Sequence, residues 1–284
     1  MSGEDEAAAV GEVEIRNDIV YADHDGKLLG DFYLPKGATK APAIVAVHGG
    51  AWARRNRRSY QYWGPFLAAR GYAVFEITYR LGKAGVYPNA VNDVKSAVQF
   101  VRANAAEYGI DPDRIGMMGD SAGGHLIAMV ALAGGAFNGC REEPHGNVSA
   151  QVKAAVGFYG IYDLLAQWRF DLVAQPGNSM TEDFLGVSPL RNRRVFFDAS
   201  PISHTTIDST KTQFLLIAGT DDDIVDPAQT KNFRDALAQA GIKARRIVVP
   251  GAGHSFVGEP FEDDPHAANS AVAAPVLSFL SASL

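Results

Sequence analysis

The residues with the clearest chemical potential are Ser121 and its neighbours in the run Gly119-Asp120-Ser121-Ala122-Gly123. A serine hydroxyl is a weak nucleophile until a base takes its proton and nearby donors receive the charge that develops on its target. A G-x-S-x-G run between a strand and a helix meets these needs. Small flanking residues permit a sharp turn that exposes the hydroxyl, and the helix N-terminus directs unpaired N–H groups at a developing anion. Here Arg114-Ile115-Gly116-Met117-Met118-Gly119 reads as the strand, and the small, apolar run Ala122 to Leu132 as the helix.

The other parts of such a site have candidates as well. His48-Gly49-Gly50-Ala51-Trp52 follows an apolar strand, and its two glycines let backbone N–H groups approach a ligand closely. The general base has to be a histidine within reach of Ser121. Of the seven histidines, His254 lies in Gly251-Ala252-Gly253-His254-Ser255-Phe256, a glycine-rich loop just past a strand near the C-terminus. His24, His145, His204 and His266 lack such a setting, His48 belongs to the glycine loop, and His125 lies in the helix after Ser121. An acid is needed to orient the imidazole. Asp221, Asp222, Asp223 and Asp226 all follow the strand Gln213 to Ala218, and residue type alone does not choose among them. The chain order is then Ser, Asp, His.

These residues need a sheet that delivers several strand ends to one place. Short apolar runs alternate with helix-period segments, the pattern of a parallel sheet with crossover helices. Ala43–Val47, Tyr72–Ile77, Lys153–Tyr159, Gln213–Ala218 and Arg245–Val249 read as buried strands. Tyr60–Arg70, Pro88–Tyr108, Thr230–Ala240 and His266–Leu280 read as helices, with Pro275 expected near a start or a kink of the last. Val13–Leu34 alternates and carries His24-Asp25-Gly26-Lys27, which fits an antiparallel hairpin at the sheet edge. The stretch 164–199 has weak periodicity, several aromatics and Arg191, Arg193 and Arg194. It reads as an irregular, cap-like insertion over the active-site face of one domain spanning 1–284. Trp52, Trp168 and Phe256 are candidate walls of a substrate pocket.

Composition bounds the alternatives. With 284 residues, 47% hydrophobic and 20% charged, the chain has ample material for a core. A single cysteine, Cys140, rules out an intrachain disulfide and a cysteine-based metal cluster, and fits a reducing compartment. The first ten residues show no signal-peptide pattern, and no apolar run reaches the ~20 residues of a membrane span, so a cytoplasmic, membrane-free protein is expected. The net charge of −6 argues against a nucleic-acid partner. The basic run Arg54-Arg55-Asn56-Arg57-Arg58 is read as a solvated loop, with a rim attracting acidic substrates as the alternative. A small-molecule ester is the expected partner, with no metal and no cofactor. A homodimer through an edge strand or a helix is compatible with the sequence.

The chain resembles the α/β-hydrolase superfamily, in its hormone-sensitive-lipase-like carboxylesterase branch and, within that, the bacterial acetylxylan/feruloyl-esterase-like (BD-FAE-like) group. The resemblance rests on HGGAW (48–52), YRL with YP (79–81, 87–88), PDRIGMMGDSAGGHL (112–126), FYGIYDL (158–164), ASPISH (199–204), GTDDDIVDP (219–227) and VPGAGHSF (249–256), and spans about residues 13 to 280. It implies an α/β-hydrolase fold, a mostly parallel sheet flanked by helices, and a triad of Ser121, His254 and an acid. The family pattern G-x-x-D-x-x-V falls on Gly219 and Val225 and selects Asp222. It also implies oxyanion donors at the N–H groups of Gly50 and Ala122, with Gly49 or Ala51 as further candidates. Two departures stand out. Ala51 and Trp52 replace the HGGG form, as in feruloyl-esterase-like and kynurenine-formamidase-like groups, and Asp226 stands where relatives often have proline. The resemblance implies a serine carboxylesterase acting on small short-acyl or aryl esters. Acetylxylan or feruloyl esters and an aryl-formamidase-type amide hydrolase are the alternatives; a non-catalytic binding protein on this fold is disfavoured because all three triad positions are filled.

Overall fold

Strands that are apolar on both sides divide the core into two layers. In β3 (Ala41–Val47), Val45 and Val47 join one apolar cluster, and Ile44 and Ala46 join another on the opposite face. This alternation is what a strand buried between two helical layers requires. The structure is a computed structural model, and it describes residues 11–24, 26–54, 59–137, 145–177 and 179–284. Arg55 to Arg58 and Cys140, read above from sequence, lie outside the described residues, as does Asp25.

Around β3 the chain forms β1 (Val13–Asp23), β2 (Lys27–Pro35), β4 (Ala73–Ile77), β5 (Ile110–Asp120), β6 (Ala154–Phe158), β7 (Gln213–Gly219) and β8 (Ala244–Val249). They make one sheet in the order β1-β2-β4-β3-β5-β6-β7-β8. β1 and β2 form the antiparallel edge pair, β2 meets β4 antiparallel, and the remaining neighbours are parallel. On one face lie α2 (Asn89–Ala103), α3 (Ala122–Ala133) and α7 (Ala228–Gln239), packing Val94, Val98, Leu126, Ile127 and Phe233 against the sheet. On the other lie α1 (Trp63–Ala68) and α8 (Ala268–Ser283), contributing Trp63, Leu67, Val272, Val276 and Leu280. This is the α/β-hydrolase arrangement of a mostly parallel sheet between helices. Among the described residues, no helix is long and apolar enough to cross a membrane.

Several elements differ from the sequence reading. α1 begins at Trp63 rather than Tyr60, which keeps Pro65 in the first turn, where its missing N–H breaks no helical bond. α2 stops at Ala103, because Asn104 turns its side-chain amide onto the Phe100 carbonyl and ends the ladder. Pro275 sits inside α8, neither at its start nor near it. The buried residues Val272, Val276, Phe279 and Leu280 hold that helix to the sheet against the lost hydrogen bond. The stretch 164–199 is not irregular. It holds α4 (Leu164–Ala174), α5 (Met180–Leu185) and α6 (Arg193–Asp198), capped at their N-termini by the side chains of Asp163, Ser179 and Asn192. α5 and α6 are too short to show a period.

Candidate active site

The parallel strands deliver their carboxyl ends to one edge of the sheet, where folds of this type place their ligands. β5 ends in Asp120 and is followed by Ser121, whose backbone lies at φ 52°, ψ −118°, outside the regular regions open to a serine. The turn is held by the Ser121 N–H donating to the Phe158 carbonyl (2.9 Å) and by α3 packing close to β3. That packing requires glycine at 123, since a Cβ there would stand 1.9 Å from the Val47 carbonyl oxygen.

His254, on the loop after β8, places Nε2 3.0 Å from Ser121 Oγ and Nδ1 2.8 Å from Asp222 Oδ2. A carboxylate only accepts, so Nδ1 carries the proton and Nε2 is left to accept the serine O–H. Asp222 is held in turn: its Oδ1 accepts from the N–H groups of Ile224 (3.0 Å) and Val225 (2.9 Å). The four aspartates separate by geometry. Asp222 is buried, Asp221 and Asp223 are exposed, and Asp226 accepts from the Ala228 N–H at the start of α7. The Tyr159 ring lies 4.5 Å from the His254 ring, and its hydroxyl accepts from the Val257 N–H. Hydroxyl, imidazole and carboxylate thus stand in series, an arrangement able to move the Ser121 proton to His254 while Asp222 steadies the resulting cation.

Beside Ser121 runs the loop after β3. Gly50, Ala51 and Trp52 all have positive φ, at 106°, 54° and 55°. Among the described residues, no protein acceptor takes the N–H of Gly50 or Ala51. Ala122, at the first position of α3, has an N–H with no intrahelical partner. Gly49, a further donor candidate in the sequence reading, differs from its neighbours: its N–H is already taken by Asp120 Oδ1 at 3.0 Å. Burial pushes the Asp120 carboxyl up to about 6, opposed by that N–H and by the nearby His254. Tyr79, in the YRL run, donates its hydroxyl to the His48 carbonyl (3.0 Å), while the next residue, Arg80, holds the buried Asp93 of α2.

Of the expected pocket walls, Trp52 falls in the core, while Phe256 stays beside His254. Trp52 is turned into the core, 1% exposed, because its indole N–H finds an acceptor in His125 Nδ1 (3.2 Å) and its ring stacks on Phe184 (4.3 Å). Trp168 donates its N–H to Glu182 Oε1 across α4 and α5 (2.6 Å). Phe256 is buried against Tyr159 and Phe158. The groove that flanks His254 is lined by residues 249–253 together with Phe256, Glu259 and His266, so Phe256 is one of its walls. Sequence reading missed Asp120 and His125 as partners of the glycine loop. Their signal was present, one residue before and four after Ser121, but their contacts are long-range. It also missed Gln167 on α4, whose Nε2 donates to the Ile224 carbonyl (2.9 Å) within the Asp222 loop. Among the described residues, no group of three or more His, Cys, Asp or Glu side chains is placed to hold a metal ion.

The BD-FAE family model matches residues 30–237. Esterase LipC of Mycobacterium tuberculosis (strain ATCC 25618 / H37Rv) is 33% identical over 249 residues, covering 85% of this chain and 60% of LipC, so the chain spans about three fifths of that relative's length. A structure described as a truncated form of carbohydrate esterase from gut microbiota superposes with a TM-score of 0.78 at 27% identity, covering 98% of each chain. The propionate-bound esterase Est2 of Thermogutta terrifontis superposes with a TM-score of 0.75 at 28% identity, covering 96% of this chain and 94% of that one.

Proposed function

This chain belongs to the BD-FAE family, and on that premise we propose that it is a serine carboxylesterase hydrolysing small esters of short acyl or aryl acids. The observation that carries the reading is the series Ser121 Oγ, His254 Nε2, His254 Nδ1 and Asp222 Oδ2, with contacts of 3.0 and 2.8 Å. LipC and Est2, both named esterases, support the same reaction class.

In this reading His254 Nε2 takes the proton as Ser121 Oγ attacks the acyl carbonyl, and the carbonyl electron pair moves to oxygen. The N–H groups of Gly50 and Ala122, with Ala51 beside them, receive that oxyanion; each such donor contributes on the order of 10²–10³ in rate. Collapse of the intermediate breaks the C–O bond, and His254 returns its proton to the leaving alcohol. A water then repeats the sequence on the acyl-Ser121 and releases the acid. Asp222 keeps the imidazole in the Nδ1–H tautomer throughout. The stretch 164–199 is part of the same proposal as a cap over the site within a single domain. Its support is Gln167 reaching the Asp222 loop and Phe184 stacking on Trp52. A cytoplasmic location also belongs to the proposal, supported by the lone Cys140.

The test is hydrolysis of p-nitrophenyl acetate by the wild type and by Ser121→Ala, with thermal unfolding run on both. Turnover in the wild type and its loss in a folded Ser121→Ala is the expected result. A variant that keeps its turnover would remove Ser121 from the mechanism. An acyl series from acetyl to feruloyl, paired with matched amides, then reads the substrate class.

A further inference from the structure

The two donors assigned to the oxyanion come from separate stretches of chain: Gly50 from the loop after β3, and Ala122 from the start of α3. Their spacing has to be fixed by something. Within the loop the Gly50 carbonyl accepts from the N–H groups of Ala53 and Arg54 (3.0 Å each), but Ala51 and Trp52 are non-glycine residues with φ of 54° and 55°. A left-handed backbone is unfavourable for an L-residue, so contacts from outside the turn have to hold it. We propose that Trp52 and His125 are a positioning pair that locks this loop to α3 and so sets the distance between the two donors. The inference rests on the esterase reading above.

The indole of Trp52 is buried, stacked on Phe184 with ring centroids 4.3 Å apart, and donates its N–H to His125 Nδ1 at 3.2 Å. The far nitrogen of that imidazole, Nε2, lies 2.8 Å from the Ala199 carbonyl. An indole N–H can only donate and a carbonyl can only accept, so His125 is the neutral Nε2–H tautomer with both nitrogens engaged. Burial pushes its pKa down to about 4, which keeps it neutral, so Nδ1 remains an acceptor. His125 also hangs from the first turn of α3: its own N–H donates to the Ser121 carbonyl (3.1 Å). The ring is therefore fixed to the helix that carries Ser121 and Ala122, and Trp52 is fixed to the ring. The Trp52 carbonyl accepts from the Gly82 N–H (2.9 Å), which anchors the other side of the loop. Ala199, at the end of the 164–199 stretch, completes the chain of contacts.

A pair that only filled the core would affect stability alone. A pair that spaces the donors also affects the transition state, because the donors must meet an oxygen whose charge appears only there. Trp52→Phe keeps an aromatic ring against Phe184 and removes the N–H. His125→Gln keeps one acceptor and one donor in its amide, whereas His125→Leu keeps neither. With p-nitrophenyl acetate, Trp52→Phe and His125→Leu are expected to lower kcat by on the order of 10-fold or more with KM nearly unchanged. His125→Gln should recover most of that loss, and the double variant Trp52→Phe/His125→Leu should cost no more than His125→Leu alone. Unfolding curves taken alongside confirm that each variant is folded. A folded Trp52→Phe with wild-type kcat, in an enzyme that loses turnover on Ser121→Ala, would overturn the positioning role and leave the esterase reading standing. A wild type without ester turnover would overturn the esterase reading, and this inference with it.

Discussion

Gly49 donates its backbone N–H to Asp120 Oδ1 at 3.0 Å, so the residue before Ser121 grips the loop that carries the proposed oxyanion donors. The two segments also touch sterically. A Cβ at Gly49 would stand 2.6 Å from Asp120 Oδ2 and 3.0 Å from Ser121 Cβ. Asp120→Asn keeps an acceptor for the Gly49 N–H, and Asp120→Leu does not. The expected outcome is a modest loss of kcat/KM in Asp120→Asn and a loss on the order of 10² in Asp120→Leu and Gly49→Ala. Steady-state kinetics on one p-nitrophenyl ester checks this. Equal activity in Asp120→Asn and Asp120→Leu would mean the hydrogen bond does not position the loop.

The row of aspartates after β7 yields a sharper contrast. Only Asp222 is buried and faces His254, while Asp221 and Asp223 point to solvent. Asp222→Asn leaves the shape intact but presents an N–H or a weaker acceptor to Nδ1, which favours the wrong tautomer. A fall in kcat on the order of 10⁴ is expected. Asp221→Asn and Asp223→Asn should stay within a few-fold of wild type. Comparable losses at all three positions would point to a general effect of charge rather than a specific partner.

Glu76, in β4, supplies a pH prediction. Burial, and then the charge of Asp31, push its carboxyl up to about 8 from an ordinary value near 4.5, and its Oε1 has no hydrogen-bond partner among the described residues. Because the folded value is raised, the neutral form is favoured in the fold. The contribution to stability is therefore complete below about 4.5 and is lost as pH rises toward about 8. Glu76→Gln, which is neutral at every pH, should melt close to wild type at pH 5 and several degrees higher at pH 8.5. Melting curves at the two pH values read this directly, and an unchanged gap between variant and wild type would assign the group an ordinary pKa.

Much of the site was legible before any coordinates. The nucleophile turn announces itself because a strand that must become a helix in one step admits only small neighbours, so Gly119, Ala122 and Gly123 mark Ser121 locally. His254 could be chosen because it alone of the seven histidines follows a strand in a glycine-rich loop near the C-terminus. The strands were read correctly to within a few residues, since an apolar run buried on both faces has few other places to go. The helices of 164–199 were not read: α5 and α6 are too short to carry a period, and α4 buries the polar Gln167 and Asp171 beside Leu164, so it shows no apolar stripe.

What the sequence by itself determined, then, is the set of chemical groups and the strand ends that carry them. It named Ser121, His254 and a row of aspartates, and a glycine loop at 48–52. Only the tertiary structure decided which side chains those groups meet. It turned Trp52 away from a substrate wall and onto His125, committed the Gly49 N–H to Asp120, and let Asp222 alone of its row reach the imidazole. The physical reason is the same in each case. Strand and turn propensities act over a few residues and can be read along the chain. A hydrogen bond between Trp52 and His125 spans 73 positions, and one between Asp222 and His254 spans 32, so each exists only after the sheet has set the order of its strands.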